Sequence, residues 1–277
     1  VIIALCAVLL VTQTGDRFDS VLRLLSLAGG YAVYLGVFIG LVLAVSAWAR
    51  TSRLSLTLLL GIWIGVAVLA PRAIADASRS WFPSDSRREF AAKLGTDLGK
   101  QSQEAWERAF GKDSGTVYGT KVPLSQWGRA LQTQDQAGYS VMDRHFSALW
   151  DTYELQQATQ EWFGLLIPTL AIRSYSMHVA GTDFQQHRAF SVAAERHRRM
   201  MQDLVSDDLV EHADGHDEAH FSYRASPDLW RQVPPFDFRA DTVAAKIGDA
   251  VRSVIVLALG LAAAWLAALV ASRRLSK

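Results

Sequence analysis

Long stretches without a single charged side chain constrain this 277-residue chain more than any motif in it. Leu24–Ala49, Leu54–Pro71 and Ser253–Ser272 contain no acidic, basic or histidine residue, and Val1–Gly15 is a shorter run of the same kind. A helix needs about 20 apolar residues to cross a hydrocarbon core of roughly 30 Å. Backbone polar groups in lipid must pair within their own segment, so such runs are expected as helices. Between the third run and the last lies a charge-rich stretch of nearly two-thirds of the chain. The net charge of +1 and a mean hydropathy of +0.12 average over these opposites and conceal both.

These patterns predict an all-α membrane protein: a helical transmembrane bundle carrying one large, mainly helical extracytoplasmic domain. Four spans are expected, ending or running at about Thr12, Leu27–Trp48, Leu54–Leu69 and Ser253–Ala271. Val1–Val11 reads as the tail of a membrane helix that starts before Val1. The domain boundaries follow as 1–74 for three spans, 75–245 for the extracytoplasmic domain, and 246–277 for the last span with its basic tail. Arg50 and Arg53 join two spans, Arg17 and Arg23 join two others, and Arg273, Arg274 and Lys277 follow the last. Short-loop lysine and arginine favour the cytoplasm. The basic tail breaks the tie between the loops and places the polar domain outside.

Small residues punctuate the spans. Gly36 and Gly40 form one G-x-x-x-G and Gly61 and Gly65 another, a spacing that lets helices approach closely in lipid. No Asp, Glu, Lys, Arg or His lies within the last three spans, which argues against a proton relay or an ion path built on buried charge. There is no basic excess and no nucleic-acid-binding motif. Cys6 is the only cysteine, so no intrachain disulfide can form.

The polar stretch has helical periodicity. Phe90, Leu94, Leu98, Trp106 and Phe110 form one stripe, and Tyr139, Met142, Phe146, Leu149, Trp150 and Tyr153 another. Phe163–Ile172 is apolar but too short to span, and suits an interfacial or re-entrant helix or a buried core segment. Asp183–Val210 reads as a long helix with Glu195 and Arg199 at i,i+4, and Asp183 suits its N-terminus.

Candidate chemistry is sparse. In EHADGHDEAH, His212, His216 and His220 stand four residues apart, and neutral imidazoles suit a transition metal. Gly215 and the interleaved acids suit a solvated loop instead. Gly95–Lys100 lacks the spacing of a phosphate-binding loop, and no G-x-S-x-G elbow occurs. Ser174 and Ser176 near His178 and His187 have only proximity to suggest a nucleophile and base. No catalytic residue is assigned.

The segment PTLAIRSYSMHVAGTDFQQHRAFSVAAERHRR, Pro168–Arg199, carries Arg173, Gly181, Thr182, Asp183, His187, Arg188 and Glu195. It resembles a bacterial ABC-2 type permease family with a large extracytoplasmic loop domain of unknown function between its last two membrane helices. Trp230, Pro234-Pro235-Phe236 and the Pro-Arg that ends Leu54–Arg72 are similar too. The resemblance implies a six-span exporter subunit in the bacterial inner membrane, of which this chain holds spans three to six. It also implies a separate ATPase subunit carrying ATP and Mg, a second permease chain as partner, and no cofactor on this chain. The rival expectation is a membrane-anchored extracytoplasmic binding or sensor module, with a transition metal on the three histidines.

Overall fold

The computed structural model describes residues 17–112, 122–215 and 222–275, and every described regular element is helical. The expected first span and Cys6 lie outside the described residues. Helix α1 is Arg17–Trp48, α2 is Ser52–Ile64, α3 is Ala70–Trp81, α4 is Arg87–Phe110 and α5 is Trp127–Phe163. They are followed by α6 at Pro168–Ala180, α7 at Phe184–His212, the single-turn α8 at Pro227–Arg231, and α9 at Val243–Leu275. Among the described residues three stretches are long and apolar enough to cross a membrane: Phe18–Trp48, Ser52–Trp81 and Gly248–Arg273.

The second of these runs past the expected stop at Leu69. Helices α2 and α3 are joined without a break by a π-turn at Gly65–Leu69, in which the Ala70 N–H reaches the Gly65 carbonyl. Pro71 follows directly. A proline ring clashes with the carbonyl four residues back and supplies no N–H, and one wider turn absorbs both defects. The helix therefore continues beyond the charge-free run into Arg72, Asp76 and Arg79, where Arg72 and Asp76 pair at 3.0 Å.

The chain divides into two compact units. One comprises Val1–Phe82, Glu154–His187 and Arg239–Lys277; the other comprises Pro83–Tyr153 and Arg188–Phe238. In the first, α6 packs on α1 and α9 through Ala171, Ile172, Tyr175 and Val179, against Ala250 and Leu257. The short apolar segment is thus a turn at Gly164–Leu166 followed by the start of α6, whose Ala171 and Ile172 are seated on the long apolar pair. The Tyr175 hydroxyl donates to the Ser26 carbonyl at 2.7 Å, so its one polar atom is satisfied where the ring is buried.

Glycines set the approach of α1 to its neighbours. A Cβ on Gly40 would lie 3.0 Å from the Ala264 Cβ and 3.1 Å from the Ala264 carbonyl carbon, and one on Gly36 would lie 2.8 Å from Leu261. Added Cβ atoms at Gly61 and Gly65 meet nothing within 4 Å among the described residues. The first G-x-x-x-G is an internal seam, and the second meets none of the described residues. Around that seam, Leu35, Ile39, Leu60, Trp63, Leu259 and Leu266 are exposed, a distribution that lipid satisfies and water does not.

Polar contacts close the end of this bundle. Asp19 accepts from the Val243 N–H at the start of α9 (2.9 Å) and pairs with Arg23 at 2.7 Å. Arg23 also donates to the Val179 carbonyl near the end of α6 (2.8 Å) and to the Asp241 carbonyl. One arginine thereby ties three segments together.

Candidate functional site

The Gly181-Thr182-Asp183 motif is a helix stop followed at once by a helix start. Gly181 has φ 68°, the left-handed conformation that favours glycine. Its N–H bonds the His178 carbonyl and the Thr182 N–H bonds the Met177 carbonyl, which is the paired closure of a Schellman cap on α6. Asp183 is fully buried and its Oδ1 accepts from the Gln186 N–H at 2.7 Å, capping α7. Asp183 and Gly181 therefore carry architecture, while Arg173, Thr182 and His187 are exposed around them. His178 Nδ1 lies 2.7 Å from the Ser174 carbonyl, so that nitrogen must hold the proton and is no base for the Ser174 hydroxyl 3.4 Å away.

The remaining predicted residues, Arg188 and Glu195, belong to the other unit and sit on the wall of a groove of about 690 Å³. Helix α5 supplies Met142, Asp143, Phe146, Ser147 and Trp150 to this groove. Helix α7 supplies Arg188, Ser191, Val192, Glu195, Arg196 and Arg199. The spacings explain the arrangement: 142, 146 and 150 form one stripe of α5, and 188, 192, 195 and 199 form one stripe of α7. Residues that look like two separate amphipathic faces in sequence become the two sides of one depression.

Ion pairs pin the two helices together. Arg199 reaches both Asp143 oxygens, at 2.6 and 2.9 Å, and Glu195 at 2.8 Å, with its guanidinium 4.7 Å from the centre of the Tyr139 ring. Glu195 also accepts two bonds from Arg198, each 2.7 Å. Arg188 pairs with Asp151 at 3.0 Å. Arg198, then Arg199, hold the Glu195 carboxyl down at about 2 against partial burial. Burial, reinforced by the hydrogen bond to Asp203, pushes the Tyr139 hydroxyl up to about 12.

A pH prediction follows from Glu195. Its folded value lies below the ordinary carboxylate value near 4.5, so its pairing stabilises the fold fully above that pH. The contribution disappears as pH falls from about 4.5 towards 2. Glu195→Gln is expected to flatten this acid limb when unfolding of the full chain is followed by circular dichroism at stepped pH. An acid limb as steep as that of the wild type would exclude Glu195 as its source.

The histidine cluster lies only in part within the described residues. Helix α7 ends at His212, and Gly215 has φ 90°. His216 and His220 lie outside the described residues. His212 stacks on Tyr223 and contacts Asp208. Among the described residues no group of three His, Cys, Asp or Glu side chains is placed to hold a metal. Asp214 has a role that the sequence did not signal. Its two oxygens accept from the Gly128 and Arg129 N–H groups, at 2.8 and 2.9 Å, capping the start of α5.

Residues 85–239 match the family described as Domain of unknown function (DUF3526), more than half of the chain. The chain belongs to the DUF3526 family. The matched segment includes the whole groove and both halves of its ion-pair network. Comparisons with curated proteins and with solved structures gave no match.

Proposed function

We propose that the chain is a transmembrane permease subunit of an ATP-binding cassette transporter of the ABC-2 type, acting as an exporter in a bacterial inner membrane. The observation that carries this reading is the position of the DUF3526 segment. It is inserted between the second and third helices long enough to cross a membrane, so the chain leaves the bilayer, forms a large polar unit and returns. The permease resemblance of Pro168–Arg199 supports the same reading. On this reading residues 75–245 are extracytoplasmic and the tail after Ser272 is cytoplasmic. A separate ATPase subunit binds ATP and Mg, and a second permease chain, identical or related, completes the transporter. No nucleotide-binding loop occurs in the sequence to do that work here.

Affinity purification of the full-length protein from its native membrane, with mass spectrometry of stoichiometric partners, tests the assignment. A co-purifying ABC ATPase whose ATP turnover depends on its own active site is the expected result. Purification without any ATPase would sink the transporter reading and leave a membrane-anchored binding module. Sidedness is tested separately on a Cys6→Ser background. Asp85→Cys should react with a membrane-impermeant maleimide in spheroplasts, whereas Arg50→Cys should react only after permeabilisation. The reverse pattern would invert the topology.

A further inference from the structure

Among the described residues, one cation lining the α5–α7 groove has no carboxylate partner. Arg199 is held by Asp143 and Glu195, Arg198 by Glu195, and Arg188 by Asp151. Arg196 also lines the groove, is exposed, and has no carboxylate partner among the described residues. Beside it the depression is apolar: Met142, Phe146 and Trp150 run at four-residue intervals along α5, and Val192 faces them from α7 with 47% of its surface exposed. From Arg188 to Arg199 the α7 wall rises over about 16 Å. At about 690 Å³ the volume falls within the ordinary range of small-molecule sites.

A ligand must answer both features. A compact inorganic anion would engage Arg196 and leave the apolar stripe wet. An uncharged chain would cover the stripe and ignore the free guanidinium. A cationic amphiphile would place its head against Arg196 and be repelled, since Asp143 and Glu195 are already engaged by Arg199. We propose that the groove binds a single-chain amphiphile with one anionic head group. The head is held by Arg196 and the chain lies along Met142, Phe146 and Trp150. This inference stands on the groove alone and does not require the transport reading.

The test uses the full chain in phosphatidylcholine nanodiscs, labelled by illumination with a dodecanoate that carries a diazirine in mid-chain. Adducts mapped by mass spectrometry are expected between Met142 and Trp150 and between Arg188 and Arg199. Dodecanoate should displace them, and dodecyltrimethylammonium should do so about tenfold less well, the size expected for one charge-assisted contact. Arg196→Glu should reduce groove labelling about tenfold by reversing that contact. Val192→Trp should reduce it by filling the groove. Both positions are exposed, and unchanged hydrogen exchange around Trp106 will verify that the unit still folds. Adducts confined to the apolar helices would overturn the proposal. So would groove adducts that survive either substitution, or equal displacement by the cationic amphiphile.

Discussion

Trp106→Ala is expected to lower the stability of the DUF3526 unit by about 3–5 kcal/mol, the usual cost of emptying a buried aromatic site. Trp106 is 1% exposed and packs with Phe110, Val122 and Ala130, its ring centre 5.3 Å from that of Phe110. It sits in α4, whose start is fixed by a capping box between Ser86 and Glu89. Losing the indole therefore loosens the packed end of a helix that is otherwise well defined. Trp106→Phe should be far milder, at about 1 kcal/mol, because the indole N–H has no partner among the described residues. Removing a buried donor without a partner offsets part of the lost packing. Hydrogen exchange of the full chain, read in peptides covering Arg87–Phe110 and Trp127–Tyr153, separates the two variants. Equal damage from Phe and Ala would show that the nitrogen, not the ring, carries the stability.

Gly40→Val should force α1 and α9 apart, at a cost of about 1–3 kcal/mol or more. The reason is geometric: the first added carbon already stands 3.1 Å from the Ala264 backbone and 3.2 Å from Trp265, and backbone does not yield as a side-chain tip does. In lipid no solvent-driven force compensates, since helix association there depends on close packing itself. Gly61→Val provides the contrast, because nothing among the described residues stands within 4 Å of its Cβ. Thermal unfolding in detergent should drop by several degrees for Gly40→Val and hold steady for Gly61→Val. Equal melting of the two variants would refute the seam.

Legibility in the sequence depended on how local the responsible physics was. Leu24–Ala49 and Ser253–Ser272 announce long apolar helices because absence of charge over 20 residues has few other causes. Asp183 is readable as a helix cap because its partner, the Gln186 N–H, lies three residues ahead. Leu69 looked like a helix end because Pro71 normally stops one, and only the π-turn reveals how the chain passes through. Asp214 was hidden among acids and histidines because its partners, Gly128 and Arg129, are more than 80 residues earlier. The groove was half visible. The α5 stripe and the Glu195–Arg199 pair can be read from helical spacing, whereas the α7 wall of Arg188, Val192, Glu195 and Arg199 mixes charged and apolar residues and has no such signal. That Arg199 would cross to Asp143 and Tyr139, bringing the stripes face to face, is a long-range fact with no local signature.

The Asp214 cap also sets an order of events. A chain grows from its N-terminus, so Gly128 and Arg129 leave the ribosome well before the carboxylate that receives their N–H groups. The Gly215 N–H, which reaches back to the Ser125 carbonyl at 2.8 Å, arrives at the same late moment. Until then the Gly128 and Arg129 N–H groups are without that carboxylate. The apolar helices before Trp81 are by then long since synthesised. Closure of α5 is thus timed by a residue more than 80 positions later, and a truncation just before Asp214 would leave that helix start uncapped and would also remove α9, against which Gly40 of α1 packs.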